Sequence, residues 1–309
     1  MSRRRDIDQH LHTFGEIGGI LRAMRNIALM ETQKLARFAT AQQQSIDLIE
    51  AAAADFLNWH PFALARPSHR RPLYLLLGSE RGFCGEFNDA VLASFHEHVA
   101  ADRGADPILI LVGSRLALHA QGLRGTIVTI QGPSVAEETA AVIGRLVEQL
   151  RALHKTDDLV CILDATVVHH VSTNHHSTVM VRRPFLGLKD RGPRHAYPPV
   201  LTLTPMMFAA ELVDHYLFAI LHDLLHRSLL SENQRRVRHM EQALQRLDGT
   251  MAELTRKRHA VRQEEITEEI ETIMLSAELL GQGQTGRRAG NSRSPGRGSV
   301  PPTRDSMME

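Results

Sequence analysis

Residues 237–261 read VRHMEQALQRLDGTMAELTRKRHAV, with Val237, Met240, Leu244, Leu247, Met251, Leu254 and, past Arg258, Val261 spaced alternately three and four apart. That spacing is the seam of a coiled coil, a narrow apolar stripe on a helix that is otherwise polar. The pattern runs on through Arg262-Gln263-Glu264-Glu265-Ile266-Thr267 to Ile270, Ile273, Ala277 and Leu280, and Pro205 marks its entrance. A stripe of this kind is disfavoured in water, so the helix needs a partner of similar length.

The other end of the chain supplies one. Ile7, Leu11, Phe14, Leu21, Met24, Ile27, Ala28, Leu35, Phe38, Ile46, Ile49 and Ala53 recur three or four apart, with no proline before Pro61. They predict one helix of about 50 residues, about 75 Å at the α-helical rise. Gly15, Gly18 and Gly19 each cost about 1 kcal/mol against alanine in an exposed helix. They read as close approach to another helix rather than as a break. Antiparallel pairing of the two helices follows if what lies between them sits at one end.

From Pro72 to about Leu203 short apolar runs alternate with helical patterns. Leu73–Leu77, Ile108–Val112, Thr126–Ile130 and Leu159–Leu163 read as strands, with helices through Val91, Leu92 and Phe95 and from Ala140 to Leu153. Such alternation predicts a small α/β domain around a mostly parallel sheet. The fold class is therefore α/β, a long antiparallel two-helix coiled coil of the N- and C-terminal segments with a small α/β domain inserted. The expected divisions are 1–60, 61–204 and 205–281, followed by a disordered tail over 282–309, rich in Gly, Ser, Arg and Pro.

Composition excludes several function classes. The 309 residues are 43% hydrophobic, enough for a core, and carry a net charge of +1, so no global basic field points to nucleic acid. Cys84 and Cys161 form no CxxC and are too few for a disulfide framework, which fits a reducing compartment. No apolar run approaches the roughly 20 residues that span a bilayer, and Ser2-Arg3-Arg4-Arg5-Asp6 leads into a polar helix rather than a signal sequence. The arginine-rich tail lacks interleaved aromatics and reads as a passive extension.

Several patterns resemble catalytic or ligand sites. Gly78, Gly82 and Gly85 follow a strand and open a helix, where a phosphate could sit. They fit neither G-x-G-x-x-G nor the P-loop, and a tight backbone turn accounts for them. His222-Asp223-Leu224-Leu225-His226 has the spacing of a zinc protease helix, but aspartate replaces the required glutamate and no third ligand is specified, so packing in a helix explains it better. His169-His170 and His175-His176 alternate between strand faces, so each pair offers at most one ligand to any site, and surface polarity is the expected role. No catalytic residue, cofactor site or metal site is therefore assigned. Periodicity alone leaves open a structural coiled coil, including a homodimeric scaffold that carries an α/β binding domain; a histidine-dependent metalloenzyme would have to hold stoichiometric zinc.

Three ordered motifs narrow the choice. Ile20-Leu21-Arg22-Ala23-Met24-Arg25-Asn26-Ile27-Ala28 resembles the ITKAMKMVA signature of the gamma subunit of F-type rotary ATP synthases. Gly78-Ser79-Glu80-Arg81-Gly82-Phe83-Cys84-Gly85-Glu86-Phe87-Asn88 is similar to that family's SDRGLCGGFN segment. Ser231-Glu232, Arg236, Met240 and then Arg262-Gln263 with Ile266-Thr267 and Glu269 resemble its SE…R…M and RQxxITxE elements. The resemblance covers about residues 5 to 281. Leu21, Asn26-Ile27 and Glu86 depart from the pattern, and with the long tail they suggest a divergent or alternative, sodium-linked branch. The cysteine-paired regulatory insertion of the chloroplast branch has no match.

The resemblance implies a non-catalytic central-stalk rotor that couples proton or sodium movement through a membrane c-ring to ATP synthesis or hydrolysis on alpha and beta subunits. It implies that Arg22, Met24, Arg25, Arg262, Gln263 and Thr267 contact the catalytic beta subunits. There the N-terminal signature would meet the RQxxIT element, and the arginines would meet acidic loops. Gly82, Cys84, Gly85, Phe87, Asn88, Glu232, Arg236, Met240, Ile266 and Glu269 carry over as signature residues of the shaft and domain. The epsilon subunit and the c-ring would lie against the α/β domain and Leu203-Thr204-Pro205. The implied location is peripheral, on the cytoplasmic face of the bacterial inner membrane, with membrane contact only through the c-ring.

Overall fold

The computed structural model describes residues 2–61, 71–101, 106–156, 162–173, 176–186, 188, 195 and 197–285. The two long helices are present: α1 spans Ser2–Trp59 and α5 spans Pro205–Thr285. Between them lie β1 (Leu73–Leu77), α2 (Phe87–Ala101), β2 (Ile108–Val112), α3 (Ser114–His119), β3 (Thr126–Ile130), α4 (Thr139–Thr156), β4 (Thr166–Thr173) and β5 (His176–Arg182). Contacts group the chain into two compact units, Met1–Gly15 with Gly249–Glu309, and Glu16–Asp248.

In the larger unit the strands form one sheet in the order β3-β2-β1-β4-β5. The first four are parallel, with Leu73 opposite Ile108, Ile108 opposite Thr126 and Tyr74 opposite Thr166. β5 returns antiparallel on β4, Val167 facing Arg182. All five residues of β1 and of β2 are buried, because a central parallel strand is covered on both faces and has no side for polar residues.

Each face has its own core. Leu73, Leu75, Leu77, Ile108, Ile110 and Val112 pack with α4 (Val142, Ile143, Leu146, Leu150) and with both long helices through Ile46, Ala53, Phe56, Tyr216, Ile220 and Leu224. Tyr74, Leu76, Leu109, Leu111 and Val168 pack on the opposite side against Val91 and Phe95 of α2 and Leu116 of α3. The sheet is thus built directly onto the bases of α1 and α5, and the shaft residues there are core residues of the sheet.

Within the larger unit the long helices run antiparallel. Gln42 Nε2 donates to the Ala219 carbonyl at 3.1 Å, whereas Arg22 lies 4.0 Å from Asp248. Of the three early glycines only Gly18 marks close approach: a Cβ there would meet Leu247 Cδ2 at 3.2 Å, while Gly15 and Gly19 face open space. In the smaller unit Arg4 pairs with Glu265 and Asp8 with Arg258, each at 3.5 Å, again antiparallel.

One strand differs from the sequence reading. The apolar run Leu159–Leu163 is not the fourth strand over its described part; Ile162–Asp164 forms a 3₁₀ turn, and Leu159, Val160 and Cys161 lie outside the described residues. Ile162 and Leu163 pack against the core from outside the ladder. The β-branched run Thr166-Val167-Val168 pairs with β1 instead. Residues 286–309 of the tail expected to be disordered also lie outside the described residues.

Candidate functional site, an interlock between the sheet and the C-terminal helix

The loop after β1 and the middle of α5 close on one another around a buried ion pair. Glu232 and Arg236, one helical turn apart, are 3% and 7% exposed and bond through Oε1 and Nη2. Arg236 Nη1 donates to Asn233 Oδ1 at 2.7 Å, and its Nε donates to the Gly82 carbonyl at 3.3 Å. Glu232 in turn accepts the Arg81 backbone N–H. Burial pushes the Glu232 carboxyl up to about 7, with the Arg236 charge and its hydrogen bond opposing. The loop, through the Arg81 N–H and the Gly82 carbonyl, and Asn233 of α5 thus supply polar partners to both members, which is the condition for burying such a pair.

The loop is shaped to make these contacts. Phe83 and Gly85 adopt φ of +64° and +60°, turning the chain so that the Gly82 carbonyl reaches Arg236. Asn88, in the first turn of α2, accepts the Ser79 N–H at 2.9 Å and donates to Ser79 Oγ at 3.0 Å. Cys84 Sγ lies 3.3 Å from Ser79 Oγ, and burial pushes its thiol pKa up, so it is an unreactive packing group. Phe87 stacks on His170 with centroids 3.8 Å apart, while Arg235 sits 5.8 Å over its ring. Met240 is fully buried. Gly82, Cys84, Gly85, Phe87, Asn88, Glu232, Arg236 and Met240 are thus brought together or packed nearby as one joint.

Glu80, within the glycine turn, reaches across to the donors that follow the next two strands. Its Oε2 accepts the N–H groups of Ser114 and Gly132 at 2.9 and 2.8 Å, and its Oε1 accepts the Ser114 hydroxyl at 2.8 Å. Those donors lie beyond the carboxyl ends of β2 and β3, where doubly wound sheets take up anionic ligands. Here the protein's own carboxylate occupies them. Gly78 is required for closeness, since a Cβ would fall 2.4 Å from Leu116 Cβ.

The candidate contact residues on the long helices are placed otherwise. Arg22, in the larger unit, is exposed near Asp248; Met24 and Arg25 are half-buried, and Arg25 donates to Asn26. Arg262, Gln263 and Thr267 are exposed in the smaller unit, as are Ile266 and Glu269. The segments across from the RQxxIT element are Arg4 and Asp8, which pair with Glu265 and Arg258. In the larger unit the N-terminal signature has Arg22 4.0 Å from Asp248, and Gly18, just before the signature, approaches Leu247. Gln42 lies beside Ala219 and Arg22 near Asp248, so in this unit the N-terminal helix between residues 42 and 22 runs alongside residues 219–248 of α5.

The ATP synthase family model matches residues 3–280. The chain belongs to the ATP synthase gamma-subunit family. It is 27% identical over 301 residues to the ATP synthase gamma chain of Mycolicibacterium smegmatis, covering 89% of this chain and 97% of that one. It is also 27% identical over 285 residues to the gamma chain of Frankia casuarinae, covering 85% and 93%. In fold it is similar to a chain of the Euglena gracilis mitochondrial ATP synthase OSCP/F1/c-ring structure, with a TM-score of 0.58 at 16% identity over 96% of this chain and 99% of that one.

Several polar residues of this gamma-family chain were not legible beforehand. His169 and His170, read as surface residues, are 2% and 0% exposed, because β4 lies between β1 and β5 with both faces covered. His170 Nε2 donates to the Phe87 carbonyl at 2.8 Å, so Nδ1 is the acceptor for the Ser177 hydroxyl at 2.9 Å, and Ser177 bonds Ser231 of α5. Burial depresses both histidines to about 4, so they are neutral at physiological pH. His175 and the side chain of His176 lie outside the described residues. His222 and His226 do pack together, centroids 4.1 Å apart, and burial lowers both. Glu80 stands inside the 78–88 motif, and its place before a glycine turn is the only sequence signal of its role.

Proposed function

We propose that this chain is the central-stalk rotor of an F-type ATP synthase. It performs no chemistry of its own and couples proton or sodium movement through a membrane c-ring to ATP synthesis or hydrolysis on alpha and beta subunits. The ion is selected in the ring. The observation that carries the reading is the buried Glu232–Arg236 pair bonded to the 79–88 loop, which joins sheet and helix as a rotor must join the part that is driven to the part that drives. The match over residues 3–280 supports it.

In this reading Arg22, Met24, Arg25, Arg262, Gln263 and Thr267 engage the beta subunits, the guanidinium groups meeting carboxylates. Residues 61–204, with the start of α5, face epsilon and the c-ring. Among the described residues no helix is long and apolar enough to cross a membrane, which accords with a peripheral place on the cytoplasmic face of the bacterial inner membrane. Mixing the chain with its cognate alpha and beta subunits is expected to yield an assembled ATPase, and absence of assembly overturns the proposal. Replacing Arg22 and Arg262 together by glutamate is expected to lower the ATPase rate of that complex about tenfold by setting like charges against the acidic loops. A homodimeric scaffold is the alternative, since Ile266, Ile270 and Ile273 are exposed and could cover a second copy. Sedimentation of the isolated chain as a stable dimer with no affinity for alpha and beta would favour it.

A further inference from the structure

A second polar cluster in the larger unit uses none of the family-signature residues. Glu50 on α1 and Asp223 on α5 are 5% and 1% exposed. Arg182, at the end of β5, stands between them, with Nη2 3.2 Å from Glu50 Oε1 and Nη1 3.9 Å from Asp223 Oδ2. Arg227 Nε lies 2.7 Å from both Asp223 oxygens, and its Nη2 donates to Gln43 of α1. The Tyr216 hydroxyl is 3.0 Å from Glu50 Oε1 and from the Pro184 carbonyl. Burial, then the Glu50 charge, raises the phenol pKa and keeps it a donor. His169 faces the same arginines and is held neutral.

Apart from the Asp223–Arg227 contact within α5, these links cross between elements: α1 to β5, β5 to α5, α5 to α1, and α5 to the turn after β5. Burying two carboxylates is a poor way to gain stability, because apolar side chains of similar volume do as well. What apolar neighbours such as Ile46, Ala53, Leu221 and Leu225 do not supply is direction, since they tolerate sliding past one another. A slip of one residue, about 1.5 Å along a helix, would leave Glu50 or Asp223 buried without its cation.

We propose that Glu50, Arg182 and Asp223 form a register lock. They are positioning residues that fix the axial and rotational setting of α1 against α5 and fasten the sheet edge to both. Torque applied to the sheet-bearing part then turns the paired helices without slip. The torque half of this statement rests on the rotor reading above; the register half does not.

The register half is tested on the full chain by disulfide trapping. Gln42→Cys with Ala219→Cys samples the observed register, and Gln42→Cys with His215→Cys samples a slip of one turn. With the lock intact only the first pair is expected to cross-link efficiently. In the background Glu50→Leu, Arg182→Met, Asp223→Leu the slipped cross-link is expected to rise about tenfold relative to the in-register one, the scale of losing a directly coupled network. An unchanged ratio in a folded triple variant overturns the lock. If that variant does not fold, Arg182→Lys decides, because one ammonium cannot span two carboxylates: partial slip supports the lock and none overturns it.

The torque half is tested in the assembled complex by ion pumping per ATP hydrolysed. The lock-less chain is expected to hydrolyse ATP within about twofold of the parent and to pump about tenfold less per ATP. A purely structural role would lower the yield of complex and leave that ratio alone, which overturns this half. If the parent chain fails to assemble, the rotor reading falls, and the cross-linking result still decides the lock.

Discussion

Along the two long helices of the larger unit, Leu35, Ile46, Met240 and Leu244 are between 0% and 7% exposed; in the smaller unit Ile266, Ile270 and Ile273 are 46%, 51% and 65% exposed. The apolar spacing of the sequence runs through both. The larger unit also holds buried ion pairs beside exposed ones: the Arg236 and Glu232 side chains are 8% and 4% exposed, whereas those of Arg258 and Asp8 in the smaller unit are 38% and 48% exposed. In the larger unit a sheet, α4 and a loop add a third body against the helix pair. The smaller unit has only helix against helix over its described residues, and Ile7, Leu11, Phe14, Met251, Leu254 and Val261 reach no more than half-burial. Two helices offer each other one stripe, and burial beyond it needs another layer.

If that difference is real in energy as well as area, breaking an ion pair should cost very different amounts in the two units. Arg236→Ala leaves Glu232 buried without its cation and is expected to destabilise the chain by about 3–5 kcal/mol, measured by urea unfolding. Lowering pH has an effect of comparable size for each buried histidine. His169, His170 and His226 have folded pKa values near 4, below the unfolded value of 6.5. Their contribution is complete above about 6.5 and is lost as pH falls through about 4, at about 1.4 kcal/mol per pH unit for each.

Glu232 runs the opposite way: its carboxyl, raised to about 7, contributes fully below about 4.5 and loses that contribution as pH rises through about 7. His170→Asn is therefore expected to flatten the acid side of the Tm–pH curve and Glu232→Gln to steepen it. An unaltered curve in both would mean that these groups are not buried as described. Gly78→Ala, which drives a methyl against Leu116, is expected to cost about 1–3 kcal/mol in the same urea titration. Arg258→Ala in the smaller unit is expected to cost less than about 1 kcal/mol. A cost of several kcal/mol there would erase the contrast between the units.

The long helices were legible because a period of three and four survives over dozens of residues and no proline interrupts it. β1, β2 and β3 were legible for a related reason: each is a compact apolar or β-branched run bounded by Gly or Pro. The fourth strand was misplaced because Leu159–Leu163 is equally apolar, and apolarity reports burial rather than ladder pairing. β5 was not assigned because His176–Arg182 mixes polar and apolar residues in a strand at the sheet edge. Glu50 sat on the apolar stripe between Ile46 and Ala53 as a charge out of place, a signal of buried pairing that could have been read. Its partner Arg182 could not be named, since 132 positions separate the two.

By itself the sequence determined that two long helices flank an α/β segment and that its motifs are those of the ATP synthase gamma family, because period and spacing are local properties of the chain. Only the tertiary structure decided what those motif residues do. Gly82, Asn88, Glu232 and Arg236 form a buried joint, while Arg262, Gln263 and Thr267 stay on the surface. Burial and hydrogen bonding depend on which distant segments come to lie within about 3 Å of one another, and no local pattern encodes that.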